Sequence, residues 1–221
     1  MIVFDVDGTL IDGEQTDWKC FDEAFKEAAG FSLTSSFFES LKEVTAKSIV
    51  HQALDGATEK EKLAIEAKTR QGVVDRIRQA IENDPDAFPA REGAASVLQD
   101  LQQHGIPVAI ATGDWRDSIL VKLKASGIPF DNIPMVTSSD FYNRSEIIKA
   151  AVEKAGGHLS GSIYVGDGHW DLRATRKLGI AFIGTGSKLD KLREEGATYL
   201  LDRLSVSAFR KLMEDIKMPN R

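Results

Sequence analysis

The sequence predicts an α/β protein: a Rossmann-like parallel sheet with helices on both faces, interrupted early by an inserted all-α cap. Three observations predict it. Short β-rich runs alternate with helical patterns through the second half of the chain. A long segment with no convincing strand separates the first such run from the second. Runs such as IPVAIAT and SIYVGD are continuously apolar, as strands buried on both faces are.

The first strand is expected at Ile2–Phe4. From about Glu14 to Asp86 the pattern is helical throughout, as in DWKCFDEAFKEAAGF and TEKEKLAIEAKTRQGVVDRIRQAIEN. A parallel crossover needs one helix, not several. The insert therefore reads as a separate helical cap that leaves the sheet after Asp12-Gly13. NDPDAFP, with Asn83, Pro85 and Pro89, breaks the helical pattern before alternation resumes. The expected organisation is a core of residues 1–13 and 87–221 around a cap of residues 14–86. Later strands are expected at Pro107–Ala111, Ile133–Val136, Ser162–Val165, Ile180–Ile183 and Thr198–Leu201. Core helices are expected at Arg91–His104, Trp115–Ser126, Arg144–Ala155, His169–Leu178 and Lys188–Glu195.

The 221 residues suffice for one good core plus a small second unit. A net charge of −6 gives no global attraction to nucleic acid or an anionic membrane. No apolar stretch approaches the roughly 20 residues of a membrane span, and Asp5 and Asp7 interrupt any signal-like run. Cys20 is the lone cysteine, which excludes an intrachain disulfide and a CxxC zinc site. It reads as a core thiol on an amphipathic helix. The expectation is a cytoplasmic protein, a monomer or weak homodimer, with a small-molecule partner.

Open α/β sheets bind ligands beyond the carboxyl ends of their strands. After the first strand come Asp5, Asp7, Gly8 and Thr9; after the second, Thr112, Gly113 and Asp114. The third leads into the polar stretch TSSDFYNRSE, and the fourth into Gly166, Asp167 and then Asp171. Asp5 and Asp7 share one side of an extended segment, and a helix starting near His169 keeps Asp167 near Asp171. Such carboxylates repel unless a hard cation bridges them or one keeps a proton. A Mg²⁺ site is the expected pattern. Asp114 reads as a helix N-cap with Asp117 three residues on, and Asn143 as another with Glu146. Bare amides at a helix start favour an anion. Asp12 reads as a brace for the turn into the cap. His169 and Trp170 read as packing or rim residues, while His51, Arg70 and Arg76 could face a substrate or solvent.

These motifs resemble the haloacid dehalogenase superfamily, in particular its phosphatases with a helical C1-type cap, such as phosphoglycolate phosphatase. DVDGT, VAIATG and GDGHWD stand where the family has its first, second and fourth motifs. The likeness runs from Ile2 to Asp12 and from about Pro89 to Leu201. The third motif departs from it. In place of the usual lysine, YNRSEIIKAA offers Arg144, with Lys149 five residues later and Lys122 a weaker candidate.

The resemblance implies that Asp5 attacks phosphorus and that Asp7 protonates the leaving alcohol. Thr112, Gly113 and Arg144 would hold the phosphoryl oxygens. Mg²⁺ would be held by Asp5, the Asp7 backbone carbonyl and Asp167, with Asp171 in the same acidic set orienting water or the basic residue. The substrate expected is a small phosphorylated metabolite, such as phosphoglycolate or a sugar phosphate. Dehalogenases of the superfamily lack an aspartate at the Asp7 position, so Asp7 argues for phosphoryl transfer. A phosphomutase such as β-phosphoglucomutase is the alternative, and a non-catalytic metabolite-binding protein a more distant one.

Overall fold

The computed structural model describes residues 1–217. Six strands form one parallel sheet: β1 (Ile2–Phe4), β2 (Val108–Ala111), β3 (Met135–Val136), β4 (Ile163–Gly166), β5 (Ala181–Gly184) and β6 (Tyr199–Leu200). Their spatial order is β3-β2-β1-β4-β5-β6. The chain thus builds outward from β1 in one direction, then returns to its other side. The loops after β1, β2 and β4 diverge at this reversal and leave a crevice at the strands' carboxyl ends.

Four helices lie between β1 and the core's next helix: α1 (Glu14–Ala29), α2 (Ser35–Ser40), α3 (Ala46–Ala53) and α4 (Glu59–Asn83). This helical region is the expected cap. The core helices are α5 (Ala94–Gln103), α6 (Arg116–Ser126), α7 (Arg144–Lys154), α8 (His169–Leu178), α9 (Leu189–Glu194) and α10 (Val206–Lys217). No helix among the described residues is long and apolar enough to cross a membrane.

The strand period of two divides the core. Ile2, Phe4, Ile110, Ile163 and Val165 face Leu98 and Leu101 of α5, Leu123 of α6 and Phe209 of α10. Val3, Ala109, Ala111 and Tyr164 face the other way, onto Ile147, Ile148, Leu172 and Leu192 of α7, α8 and α9. A third cluster holds the insert together around Phe21, Phe25, Val50, Val73 and Ile77, and includes Cys20. Burial pushes the Cys20 thiol up to about 11, so it stays protonated and inert. Trp115 of the core is also sunk into this cluster and stacks on Phe21 at 5.7 Å. The insert and the core therefore share apolar packing beside the crevice.

Three features depart from the expected elements. The helix expected from Arg91 begins at Ala94, because Gly93 just before it holds φ +82°, outside the right-handed helical region; Arg91 lies ahead of the helix. Its guanidinium donates to Gly8 O at 3.0 Å and Asp12 Oδ1 at 3.1 Å, pinning the turn after β1. Asp12 thereby braces the exit into the insert, and its amide donates to Pro89 O where the insert returns. The helix N-cap expected at Asp114 is Trp115 instead. The carboxylate of Asp114 meets the Trp115 amide at 2.6 Å and the ammonium of Lys122 at 2.8 Å. Helix α10 has no counterpart among the expected elements. Val206, Phe209 and Met213 give it an apolar stripe, and Phe209 packs on Phe4 at 5.9 Å.

Candidate active site

The loops after β1, β2 and β4 and the start of α7 meet beneath α1 and α3. The cavity between them is lined by Asp5, Asp7, Thr112, Gly113, Arg144 and Asp167. Residues predicted from four separate segments are thus brought to one place. Asp171 lies just behind, fully buried. One carboxylate oxygen each from Asp5, Asp167 and Asp171 falls within 4.8 Å of the other two.

Asp171 is locked by local geometry. Its Oδ2 accepts from the Gly168 amide at 3.0 Å, closing the first turn of α8. Its Oδ1 accepts from Arg144 Nη1 at 2.7 Å and the Tyr164 hydroxyl at 3.2 Å. Arg144 opens α7 at the N-cap Asn143, whose side chain donates to Glu146 rather than capping the helix. Arg144 Nη1 also reaches Asp5 Oδ1 at 3.5 Å, and Nη2 donates to Val44 O in the insert at 3.1 Å. Its Nε is buried with no partner among the described residues. Lys149 points away, with a 57% exposed side chain and only Glu153 nearby at 3.9 Å.

Two glycines are fixed by this packing. A Cβ on Gly113 would run into the Arg144 guanidinium. Gly8 holds φ +74°, and a Cβ there would sit 2.6 Å from Asp167 Oδ2, so an alanine would be both strained and crowded.

Lys188 and the insert residues Glu14, Asp17, Trp18 and Phe21 line the cavity and escaped the sequence reading, whereas Lys122 was read as a weaker third-motif candidate and Trp170 as a packing or rim residue. Lys188, after β5, donates to Asp167 Oδ2 and to Glu14 Oε1 of α1, both at 3.0 Å. Lys122 is buried against Asp7, Asp17 and Asp114; it meets Asp7 rather than taking the third-motif position beside Asp5. Trp170 forms a wall, 6.0 Å from the Arg144 guanidinium and 5.5 Å from the Lys188 ammonium. The signals were present. Glu14, Asp17, Trp18 and Phe21 recur at helical spacing just after DVDGTLIDG, and Lys188 follows a strand end. By contrast, His51, Arg70 and Arg76 pair with Glu66, Asp117 and Glu27, and none lines the cavity.

The family model for haloacid dehalogenase-like hydrolases matches residues 2–185. The chain belongs to this family. A hydrolase from Pseudomonas syringae is similar in fold, with 22% identity, TM-score 0.74, and 96% of this chain covered against 97% of that one. CbbY from Rhodobacter sphaeroides in complex with phosphate has 20% identity and TM-score 0.74 over 95% and 98% of the two chains. β-Phosphoglucomutase from Clostridium difficile has 17% identity and TM-score 0.77 over 98% and 97%. A comparison with curated proteins gave no match.

The residues of this haloacid dehalogenase-like chain fit a magnesium ion. The donors are buried carboxylate oxygens, close enough to share an ion that takes oxygen ligands at about 2.0–2.1 Å. The set is short of positive charge even with Arg144 and Lys188 beside it. Two like charges 4 Å apart repel by roughly 4 kcal/mol at an effective dielectric constant near 20. Burial, then the neighbouring Asp171 carboxylate, raises Asp5 well above the ordinary carboxylate range. Burial also raises Asp7 and pushes Asp167 up to about 6.

A stability signature follows. Asp167 at about 6 and Asp17 at about 7 keep protons in the folded chain that the unfolded chain has released. That contribution is full below the ordinary aspartate pKa and is lost as pH rises through about 6 to 7. Asp17 lies outside the set of Asp5, Asp167 and Asp171, and magnesium competes with the proton on Asp167. Its increase in Tm is expected to be larger at about pH 7.5 than at about pH 5. Thermal melts with Mg²⁺ and with EDTA check this, and equal shifts at both pH values would count against it.

Proposed function

We propose that the chain is a Mg²⁺-dependent phosphohydrolase acting on a small phosphorylated metabolite through an aspartyl-phosphate at Asp5. The observation that carries this reading is the side of the Asp5 cavity held by Arg144. The residue is 6% exposed, and its guanidinium joins Asp5 to Asp171 and keeps Nε unpartnered, beside Thr112 and Gly113. Such a cluster of donors suits an anion with several oxygens. The CbbY neighbour, described in complex with phosphate, agrees with it.

In this reading Asp5 attacks phosphorus, and the ester bond to the alcohol breaks in line. Asp7, whose burial favours the protonated form, gives its proton to the leaving oxygen. It then takes one from the water that hydrolyses the intermediate. Thr112, the Gly113 amide and Arg144 hold the phosphoryl oxygens as charge redistributes. Asp171 keeps Arg144 in line. Asp5, the Asp7 backbone carbonyl and Asp167 would hold Mg²⁺, which would supply positive charge to offset repulsion between carboxylate and phosphate. The core is residues 1–13 and 87–221 and the cap residues 14–86. The Asp12 amide bonded to Pro89 O supports that boundary. Trp18, Phe21 and Ile49 of the cap line the cavity and keep water out.

The test is phosphate release from p-nitrophenyl phosphate and a panel of phosphorylated metabolites. Release is expected with Mg²⁺ and not with EDTA; metal-independent release would overturn the reading. The fold shared with β-phosphoglucomutase favours one alternative, a phosphomutase. Product analysis with a hexose 1-phosphate separates the two: free phosphate for the hydrolase, an isomeric hexose phosphate for the mutase.

A further inference from the structure

Lys122 sits in the middle of α6 with no exposed surface. Its ammonium has three protons to donate and meets three carboxylates: Asp7 Oδ1 at 2.7 Å, Asp17 Oδ1 at 2.8 Å and Asp114 Oδ2 at 2.8 Å. These come from three different segments: the loop after β1, the inserted helix α1, and the loop after β2. The ammonium also lies 5.8 Å from the Phe88 ring, where the insert rejoins the core. Burial acts to lower the Lys122 pKa, but the carboxylates around it more than reverse this, and it stays charged.

A lysine that only filled the core would not need Asp7. Asp7 lines the cavity with a 24% exposed side chain, and Asp17 lines it too. Asp7 and Asp17 share one ammonium, but one belongs to the core and the other to the insert. Losing Asp17 from Lys122 frees a donor and removes one of the anchors that fix where the ammonium sits. The Asp7 carboxyl, held by that ammonium, then loses its fixed direction.

We propose that Lys122 couples the seating of the helical insert to the aim of the Asp7 carboxyl, through Asp17 docked on the same ammonium. Lys122 and Asp17 are positioning residues, and the proposal rests on the phosphohydrolase reading of Asp7. In the step concerned, the bond from Asp5 to phosphorus forms as the bond from phosphorus to the ester oxygen breaks. The Asp7 proton passes to that oxygen. An acid that is out of line hurts most when the leaving oxygen most needs a proton.

The experiment compares phenyl phosphate with p-nitrophenyl phosphate, esters of similar shape whose leaving oxygens differ in basicity. Both are measured on the wild-type chain, on Lys122→Met and on Asp17→Asn, with Mg²⁺ present. Asp17→Asn keeps the buried lysine and nearly the same volume, so it stands if Lys122→Met does not fold. The expected result is a loss of about 10²-fold in kcat/KM on phenyl phosphate, the scale of general acid catalysis. The loss on p-nitrophenyl phosphate is expected to be at least about tenfold smaller. Equal losses on both esters in Asp17→Asn, or no loss on either, overturn the proposal. Failure of the underlying reading shows separately, as a wild-type chain that releases no phosphate from either ester.

Discussion

Asp5→Asn is expected to lower kcat by about 10⁴-fold or more while leaving the chain folded. The amide keeps the shape of the carboxyl but cannot attack phosphorus. The other carboxylates lining the cavity are each held by a lysine: Asp7, Asp17 and Asp114 by Lys122, and Glu14 and Asp167 by Lys188. Stability should move the other way. Burial, Asp171, Asp167 and Asp7 all disfavour a charge on Asp5, and Arg144 only partly answers them. Arg144 also loses little, because its closer partner is Asp171 at 2.7 Å rather than Asp5 at 3.5 Å. The metal-free variant should therefore melt no lower than the wild type, and Mg²⁺ should stabilise it less. Phosphate release and thermal melts on the same preparation check both halves. A variant that unfolds, or one that keeps wild-type turnover, would contradict them.

Arg144→Ala is expected to cost both activity and stability, and Lys149→Ala neither. Removing the guanidinium leaves Asp171 and Asp5 buried without their cation, which costs about 3–5 kcal/mol when one partner of a buried pair is deleted. It also removes a donor to the phosphoryl group, a loss of about 10²–10³ in kcat. Arg144→Lys keeps a charge, but a single ammonium cannot serve Asp171 and the Val44 carbonyl as the fork does. It should fall between the two. Lys149 is largely exposed and its contact with Glu153 is loose, so its removal should shift stability by less than about 0.5 kcal/mol. Urea unfolding and steady-state kinetics of the three variants decide the ranking. A larger kinetic effect at Lys149 than at Arg144 would reverse the assignment of the third-motif cation.

The parts of the site carried by short-range pattern were legible in the sequence. DVDGT and GDGHWD place their aspartates at strand ends, and a strand end fixes where a side chain goes. The central strands were legible because Val3, Ile110 and Val165 lie in continuous apolar runs. Arg144 stood out as a basic residue at a helix start, although the family pattern has lysine there. What could not be read depends on tertiary contact. Lys122 was legible only as a weaker third-motif candidate within SILVKLKAS, and its burial comes from α4 packing over α6 and from the meeting with Asp17 of α1. Asp17 belongs to a helix that reads as amphipathic, and nothing local says that its polar face meets the core. Asp114 was misplaced at a helix cap because capping is a local rule, and a lysine eight residues on competes for the same carboxylate. Helix α10 went unread although its apolar spacing was visible.

The cavity is closed on one side by groups that belong to the insert. Glu14 meets Lys188, Val44 O meets Arg144, and Ala46 N donates to Gly113 O at 2.7 Å. The last two tie the insert to residues of the proposed phosphate site, and the first to the lysine that holds Asp167. Movement of the insert away from the core would break them together, which links the chemistry of the core to the position of the insert.

The most direct measurement is chemical trapping of the intermediate. The Mg²⁺-loaded protein is mixed with p-nitrophenyl phosphate, quenched within a turnover, and reduced with borohydride, which converts an aspartyl-phosphate to homoserine. Peptide mapping is then expected to find homoserine at position 5 and unmodified aspartate at positions 7, 167 and 171. Steady phosphate release with Asp5 unmodified, or modification at another carboxylate, would contradict the account.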